Sequence, residues 1–531
     1  MAAHAMQEGN TPSTPFDLSR QKFEGLVATL GASETMEMTH AELESLLQQR
    51  GAEVMRQLLQ DHLTLRGPGE VAEGSVTGSD GVVRTHQRLR DRVLMTVFGV
   101  VVVARMAYGK RGNSSLVPLD GALNLPDEKY SYGIQRRVAE EAAKTSFDEV
   151  VATVKRTTAA VVPKRQVEET VVRAAQDFDG FYEARAKAAS ETAPQSNKIM
   201  VVTSDAKGIR MHQNDLREGT RQAAEQRAAQ ETGTRFSLGQ PSPAGVARDR
   251  KRMAQVAAVY TIEPFVRSPD DVVGDMQRVT LVQKKRPRPE HKRVWASIKK
   301  DPTEVLAAAM DEARSRDPNF VMHWVALVDG NEPQLAALLM LARIDRVKLT
   351  LIVDFIHVAE YVWKAAFAFH ERGSEEAETW ARERLAEILR GNSSQVAGGM
   401  RRSATLRGLT TSQRESVDDC ADYLIKYAPY LRYHEYLAAG FPIATGVIEG
   451  ACRYLVKDRM ELTGAVWCLE SAESVLQLRA LRASNDFDAY WAFHETQERQ
   501  RNHIEHYASG LPALAAVPST PLRPPHLRLV K

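Results

Sequence analysis

Cysteine is scarce. The chain has three, Cys420, Cys452 and Cys468, far apart and without a CxxC pair. That excludes a cysteine zinc ribbon or finger, and the scarcity fits a reducing compartment. Net charge is also nearly absent: 70 Lys+Arg stand against 68 Asp+Glu. Bulk charge therefore announces no nucleic-acid partner, and any such surface has to be local. The most apolar stretch, Leu94 to Ala104, falls well short of the ~20 residues a membrane span needs. Its valines read as strand. The first residues, MAAHAMQEGNTPSTPF, carry neither a basic nor an apolar signal region. The expectation is a soluble, intracellular, cytoplasmic protein with no membrane partner. Aromatics are only 7% and form no sugar platform, which disfavours a two-carboxylate glycosidase. No phosphate-cradling glycine loop is present, which disfavours an NTPase. No internal repeat is visible.

What remains is an ordinary globular mix, 43% hydrophobic and 26% charged over 531 residues. Low-complexity and wholly disordered classes are out. Apolar residues recur at helical spacing from Gln21 to Leu65, with a break at Gly31 that predicts two helices. Gly67 to Gly81 is a glycine-rich connection, and Val82 to Tyr108 predicts strands turning near Gly99. Ser131 to Tyr182 predicts several short helices, with a cap at Ser146 and a break at Val162-Pro163. The helix starting near Lys164 and Arg165 makes this pair compatible with a helix-turn-helix, or equally with a plain helical hairpin.

Further on, three β-branched runs each reach an aspartate. They are Ile199 to Asp205, followed by an expected turn at Lys207-Gly208, then His323 to Asp329, then Val347 to Asp354. Met253 to Val266 predicts another strand, and Leu216 to Gly245 a polar loop or exposed helix. Lys284 to Arg293 is a dense basic run in which Lys284, Lys285 and Arg286 are candidate phosphate contacts. Acids at the carboxyl ends of neighbouring strands converge at one sheet edge. A fourth acid, Glu449, opens a helical segment that runs on to Arg453, Lys457 and Arg459. Two carboxylates about 4 Å apart repel by about 4 kcal/mol at an effective dielectric near 20. Such a cluster persists only if protonated or neutralised by cations, and Mg²⁺ takes carboxylates while keeping positions for phosphate oxygens. Taken singly, an Asp at a strand end is more often a cap or turn former.

The segments VVTSDAKGIRM, HWVALVDGNEPQ, LTLIVDFIHVAEYVW, ATGVIEGACRYLVKDRM and WCLESAESVLQLRAL occur in that order. With TVFGVVVVARMAY and PLDGALNLPDEKYSYG upstream, the chain resembles DDE transposases with an RNase H-like catalytic fold. More narrowly, it resembles the bacterial insertion-sequence enzymes of the Kra group, relatives of the Mutator-like and hAT-type transposases. The resemblance implies that Asp205, Asp329 and Glu449 are catalytic and hold two Mg²⁺ ions, with Mn²⁺ able to substitute. It maps a DxxH signature onto Asp354 and His357 in a supporting role. Asp354 is the competing reading for the second catalytic acid.

The implied fold is an α/β core, an RNase H-like mixed sheet flanked by helices and interrupted by an all-helical insertion. A mainly helical N-terminal DNA-binding region contains a β-hairpin. The expected divisions are 1–80 (helical) and 81–195 (hairpin plus helices, DNA-binding). The first part of the core follows at 196–357, then the insertion at 358–440. The last part of the core, with Glu449, is 441–500, and 501–531 is an expected disordered tail. Trp363 and Trp380 in or beside the insertion read as packing anchors before base-stacking residues. DNA contacts are expected from Lys164, Arg165, Lys284, Lys285, Arg286, Arg453 and Lys457. The implied partners are the element's terminal inverted repeats, target DNA and a second copy of the chain. A catalytically inactive DNA-binding descendant is the alternative.

Overall fold

The computed structural model describes residues 15–189, 197–223, 251–277 and 285–516. The chain forms two compact units, Met1–Asp177 with Asp488–Lys531, and Phe178–Phe487.

In the first unit, helix Asp17–Leu30 packs on helix His40–Leu65. Thr39 and Glu42 form a reciprocal capping box that fixes where the second begins. A one-turn helix, Ser33–Met36, lies between them. Two short strands, β1 (Val76–Thr77) and β2 (Val83–Arg84), precede the hairpin of β3 (His86–Thr96) and β4 (Gly99–Gly109). The turn falls where the sequence predicts it. Gly99 has φ 121°, a backbone conformation that side chains resist. One hairpin face buries Leu94, Val101 and Val103. Beneath it Asp120 is held between Arg92 and Arg105.

Helices Tyr132–Ala142, Phe147–Thr157 and Lys164–Ala174 pack on one another. Ser146 caps the second through the Glu149 amide, and Pro163 precedes the third. Residues 488–516 complete the unit. Tyr490 donates to the Ala174 carbonyl at 2.6 Å, and Tyr507 is buried with Val71, Val76, Tyr108 and Leu116. The expectation of a disordered tail from residue 501 is therefore corrected for 501–516. Tyr507 and Leu511 both contribute apolar area to this core, whatever the proline content downstream.

The second unit is built on a five-stranded mixed sheet. Its strands are β5 (Ile199–Arg210), β6 (Lys251–Ile262), β7 (Glu290–Ser297), β8 (His323–Val328) and β9 (Leu349–Val353). Their order is β7-β6-β5-β8-β9. β5, β6 and β7 are antiparallel neighbours, while β8 and β9 run parallel to β5. Central β5 is buried continuously from Ile199 to Thr203, as expected of a strand covered on both faces.

The turn expected at Lys207-Gly208 is not there. β5 continues to Arg210, with Lys207 paired to Ala254 and Gly208 to Met253. The long antiparallel partner β6 carries the ladder past the aspartate. β8 and β9, which lack such a partner, stop one residue before theirs.

From β9 to Glu449 the chain is helical: Phe355–Ala366, Glu375–Leu389, Ser393–Leu406, Thr411–Lys426 and Tyr433–Ala438. Trp380 is buried here against Phe369, with the Arg384 guanidinium over its ring. It is a packing anchor. No helix among the described residues is long and apolar enough to cross a membrane.

Candidate active site

Three aspartates share one row of the sheet. Thr203 on β5 faces Leu327 on β8, so two residues further on Asp205 comes level with Asp329. Val328 faces Val353 on β9, so one residue further on Asp354 comes level with Asp329. Side chains alternate along a strand, and β5 shows both faces in use. The Ser204 hydroxyl accepts from the Gln334 amide of helix Glu332–Asp345. Asp205 instead receives the Cys452 thiol, at 3.2 Å to Oδ2.

Cys452 arrives on the segment that also bears Glu449. Helix Gly446–Ala451 passes into a π-helical stretch, Cys452–Lys457, and ends with Asp458–Met460. π-Helical turns recur at functional sites. Residues 449 and 452 are three apart, so they share a helix face, and that face is turned toward Asp205.

Asp354 is buried, with only 2% exposure. Its Oδ1 caps helix Phe355–Ala366 by accepting the Ile356 amide at 2.9 Å, and it also accepts the Thr445 amide at 3.3 Å. The Thr445 hydroxyl donates to Oδ2. Thr445 immediately precedes the Glu449 helix, so Asp354 ties the end of β9 to the start of that helix. No hydrogen bond joins Asp354 to His357, although the imidazole lies near enough to act electrostatically on Asp354 and Glu449. A capping carboxylate turns back toward the first helical amides, and His357 Nδ1 lies instead 3.9 Å from Glu360.

Asp329 follows β8 directly. Its Oδ1 accepts the Asn331 amide at 3.0 Å, and its carbonyl accepts from the Tyr423 hydroxyl at 2.9 Å.

The charges are unbalanced. Among the described residues no Lys or Arg forms an ion pair with Asp205, Asp329, Asp354 or Glu449. Elsewhere some buried acids are paired with arginines, Asp120 with Arg92 and Arg105 and Glu312 with Arg293 and Arg316, while buried Asp317 and Glu473 are held by hydrogen bonds from neutral groups. The consequence is visible at Glu449. Partial burial raises its pKa above the ordinary carboxylate value, and the negative charges of Asp354, Glu360 and Asp205 raise it further against a smaller opposing effect of His357. Burial also raises Asp354, against its hydrogen bonds from Thr445 and Ile356. The Cys452 thiol is pushed up by burial and by Asp205. It therefore stays protonated and can donate.

One group of three ligand-type side chains, Asp177, His494 and Glu498, brings its donor atoms within 4.8 Å of one another. It is a closed ion-pair network: Arg501 bonds Asp177 at 3.1 and 3.0 Å and Glu498 at 2.7 Å. Asp205, Asp329 and Glu449 are not drawn together so tightly.

The candidate DNA contacts are dispersed. Lys164 pairs with Asp148 at 2.8 Å, Arg165 with Glu169 at 3.0 Å and Arg286 with Asp275 at 2.6 Å. Arg453 is largely exposed, 3.7 Å from Asp458. Lys285 and Lys457 are exposed, and Lys284 lies outside the described residues, as does the segment 224–250. The basic run is not one surface. Its end enters β7, where Arg293 is paired to Glu312 and stacked on Tyr182 and Trp295.

Two contributors escaped the sequence reading, Cys452 and Thr445. The spacing Glu449-x-x-Cys452 was the available signal for the first. Nothing local marks Thr445, whose partner is far away in sequence.

No protein-family model matches the chain, and a comparison with curated proteins returns no match.

Proposed function

We propose that the chain is a DDE transposase with an RNase H-like catalytic unit, cleaving DNA at the ends of its own element and joining those ends to target DNA. One observation carries this reading. Asp205, Asp329 and Glu449 come from a central strand, the end of its parallel neighbour and a helix facing that strand, and none has a Lys or Arg partner among the described residues. The mixed five-stranded sheet with helices supports the fold, and the all-helical stretch between β9 and Glu449 supports the insertion. Asp329 follows the fourth strand of the sheet, which favours it over Asp354 as the second catalytic acid. Asp354, with both oxygens engaged and buried, suits a positioning role.

The residues suit hard divalent cations. They offer carboxylate oxygens, and their negative charge is uncompensated. In a two-ion site each ion needs only some of the acids, so the three need not meet at one point. Asp205, Asp329 and Glu449 would hold Mg²⁺, or Mn²⁺ in its place. When bound, such ions stabilise the attacking and leaving oxygens of an in-line phosphoryl displacement. The protein's own part is geometric. Cys452 holds one oxygen of Asp205, and Asp354 fixes the helix of Glu449 through Thr445. The implied chemistry is hydrolysis at the element end, then attack of the freed 3′-hydroxyl on target DNA, without a covalent enzyme intermediate. Synapsis of two ends calls for at least two copies.

Plasmid nicking in Mg²⁺ tests the reading. Asp205→Asn and Glu449→Gln should each abolish nicking while leaving DNA binding near wild type. Nicking by either variant at the wild-type rate removes that residue from the site.

A further inference from the structure

The first unit contains a groove enclosing about 520 Å³, the size of a small-ligand site. Helix His40–Leu65 forms one wall, presenting Gln48 and Gln49. The hairpin tip supplies Phe98, and the two following helices supply Arg137 and Arg156. The groove is pinned from below, because the Ala159 amide bonds the Val97 carbonyl at 3.1 Å.

Its charge is one-sided. No Asp or Glu lines it, and neither Arg137 nor Arg156 has a carboxylate partner among the described residues. Their neighbours behave differently: Arg136 is engaged with Glu140 and Asp488, and Arg56 with Glu53. Two arginines that the fold leaves uncompensated across one concave surface call for an anion from outside. Guanidinium groups suit phosphate oxygens. Phe98 is 39% exposed at the tip, a flat apolar face where a ring can stack. The two glutamine amides can donate and accept together, as a base edge requires.

We propose that this groove seats one nucleotide of an unpaired DNA strand. Its phosphate is held by Arg137 and Arg156, and its base lies against Phe98 within reach of Gln48 and Gln49. The proposal rests on the reading that the chain acts on DNA, and it adds a strand-binding site remote in sequence from the acids.

Fluorescence anisotropy on the full chain tests it, with a labelled single-stranded oligonucleotide, its blunt duplex and a free deoxynucleoside monophosphate as probes. The single strand should bind more tightly than the duplex. Arg137→Ala with Arg156→Ala, both exposed positions, should flatten the slope of log affinity against log salt by about 0.7, the loss of one phosphate contact on a single strand. Phe98→Ala should weaken the single strand about tenfold, and Phe98→Trp should restore it. An unchanged salt slope, a preference for duplex, or binding of the monophosphate without the oligonucleotide overturns the proposal. Nicking separates the two readings. If the chain nicks but the groove variants bind normally, the groove assignment fails alone. If the groove variants lose binding but the wild type never nicks, the catalytic reading fails alone.

Discussion

Asp354 offers the sharpest test, because its substitutions divide by chemistry and not by size. Asp354→Ala removes a helix cap, about 1 kcal/mol. It also strands the amide and hydroxyl of Thr445, itself only 6% exposed, at about 1–3 kcal/mol for each unsatisfied buried group. The expected loss is about 3–7 kcal/mol. Asp354→Asn keeps an acceptor for the Ile356 and Thr445 amides, and the Thr445 hydroxyl can rotate to accept from the new amide. It also discards a charge that burial disfavours. The folded-state pKa of Asp354 is raised, so its ionisation destabilises the fold. That penalty is absent below the ordinary carboxylate value and grows as pH rises from there toward the raised pKa. Asn should therefore gain on wild type over that range and stay within about 1 kcal/mol of it at neutral pH. Chemical denaturation followed by tryptophan fluorescence reads this in the relevant unit, since Trp295, Trp324, Trp363, Trp380 and Trp467 all fall within Phe178–Phe487. Nicking supplies the second axis. Asp354→Asn should lose about 10–100-fold, the usual cost of a residue that positions others, whereas Asp329→Asn should show none. If Ala is no less stable than Asn, the bonding account is wrong. If Asp329→Asn cleaves and Asp354→Asn does not, the second catalytic position moves to Asp354.

Two further outcomes follow from charge. Glu449→Gln should raise the denaturation midpoint in chelator, increasingly as pH climbs above the ordinary carboxylate value, because it removes a charge that desolvation and the nearby Asp354, Glu360 and Asp205 disfavour. Mg²⁺ should narrow the gap, and a less stable variant in chelator would contradict the repulsion. In the first unit, Asp120→Ala should cost about 3–5 kcal/mol by leaving Arg92 and Arg105 half-buried without their counter-charge. Equilibrium denaturation checks this, and a loss under about 1 kcal/mol would mean that water already screens the pair.

The strands were legible where one face or both are apolar, and the hairpin because Gly99 sits between two valine-rich runs. The overrun of β5 was not. Lys207-Gly208 has turn chemistry, and only the long partner β6, remote in sequence, keeps it extended. At the site, the three aspartates could be read because each terminates or interrupts a hydrophobic run. Their relative level could not, since register is set by pairing. Helical spacing offered Asp354 and His357 as neighbours, but it gave no sign that the carboxylate accepts hydrogen bonds from Thr445, which is remote in sequence. Burial decided Arg293 as well: it reads as part of a cationic run, but Glu312 and two rings claim it.

The division of the first unit between Met1–Asp177 and Asp488–Lys531 has a consequence in time. During synthesis the hairpin and the three helices emerge long before Tyr490 and Tyr507, the residues that seal their interior. The whole second unit must be made in the interval. An N-terminal fragment would expose Val71, Val76, Tyr108 and Leu116 with nothing to cover them. A ribosome stalled anywhere before residue 488 therefore carries an unfinished first unit, and nascent chains in that window should depend most on chaperones.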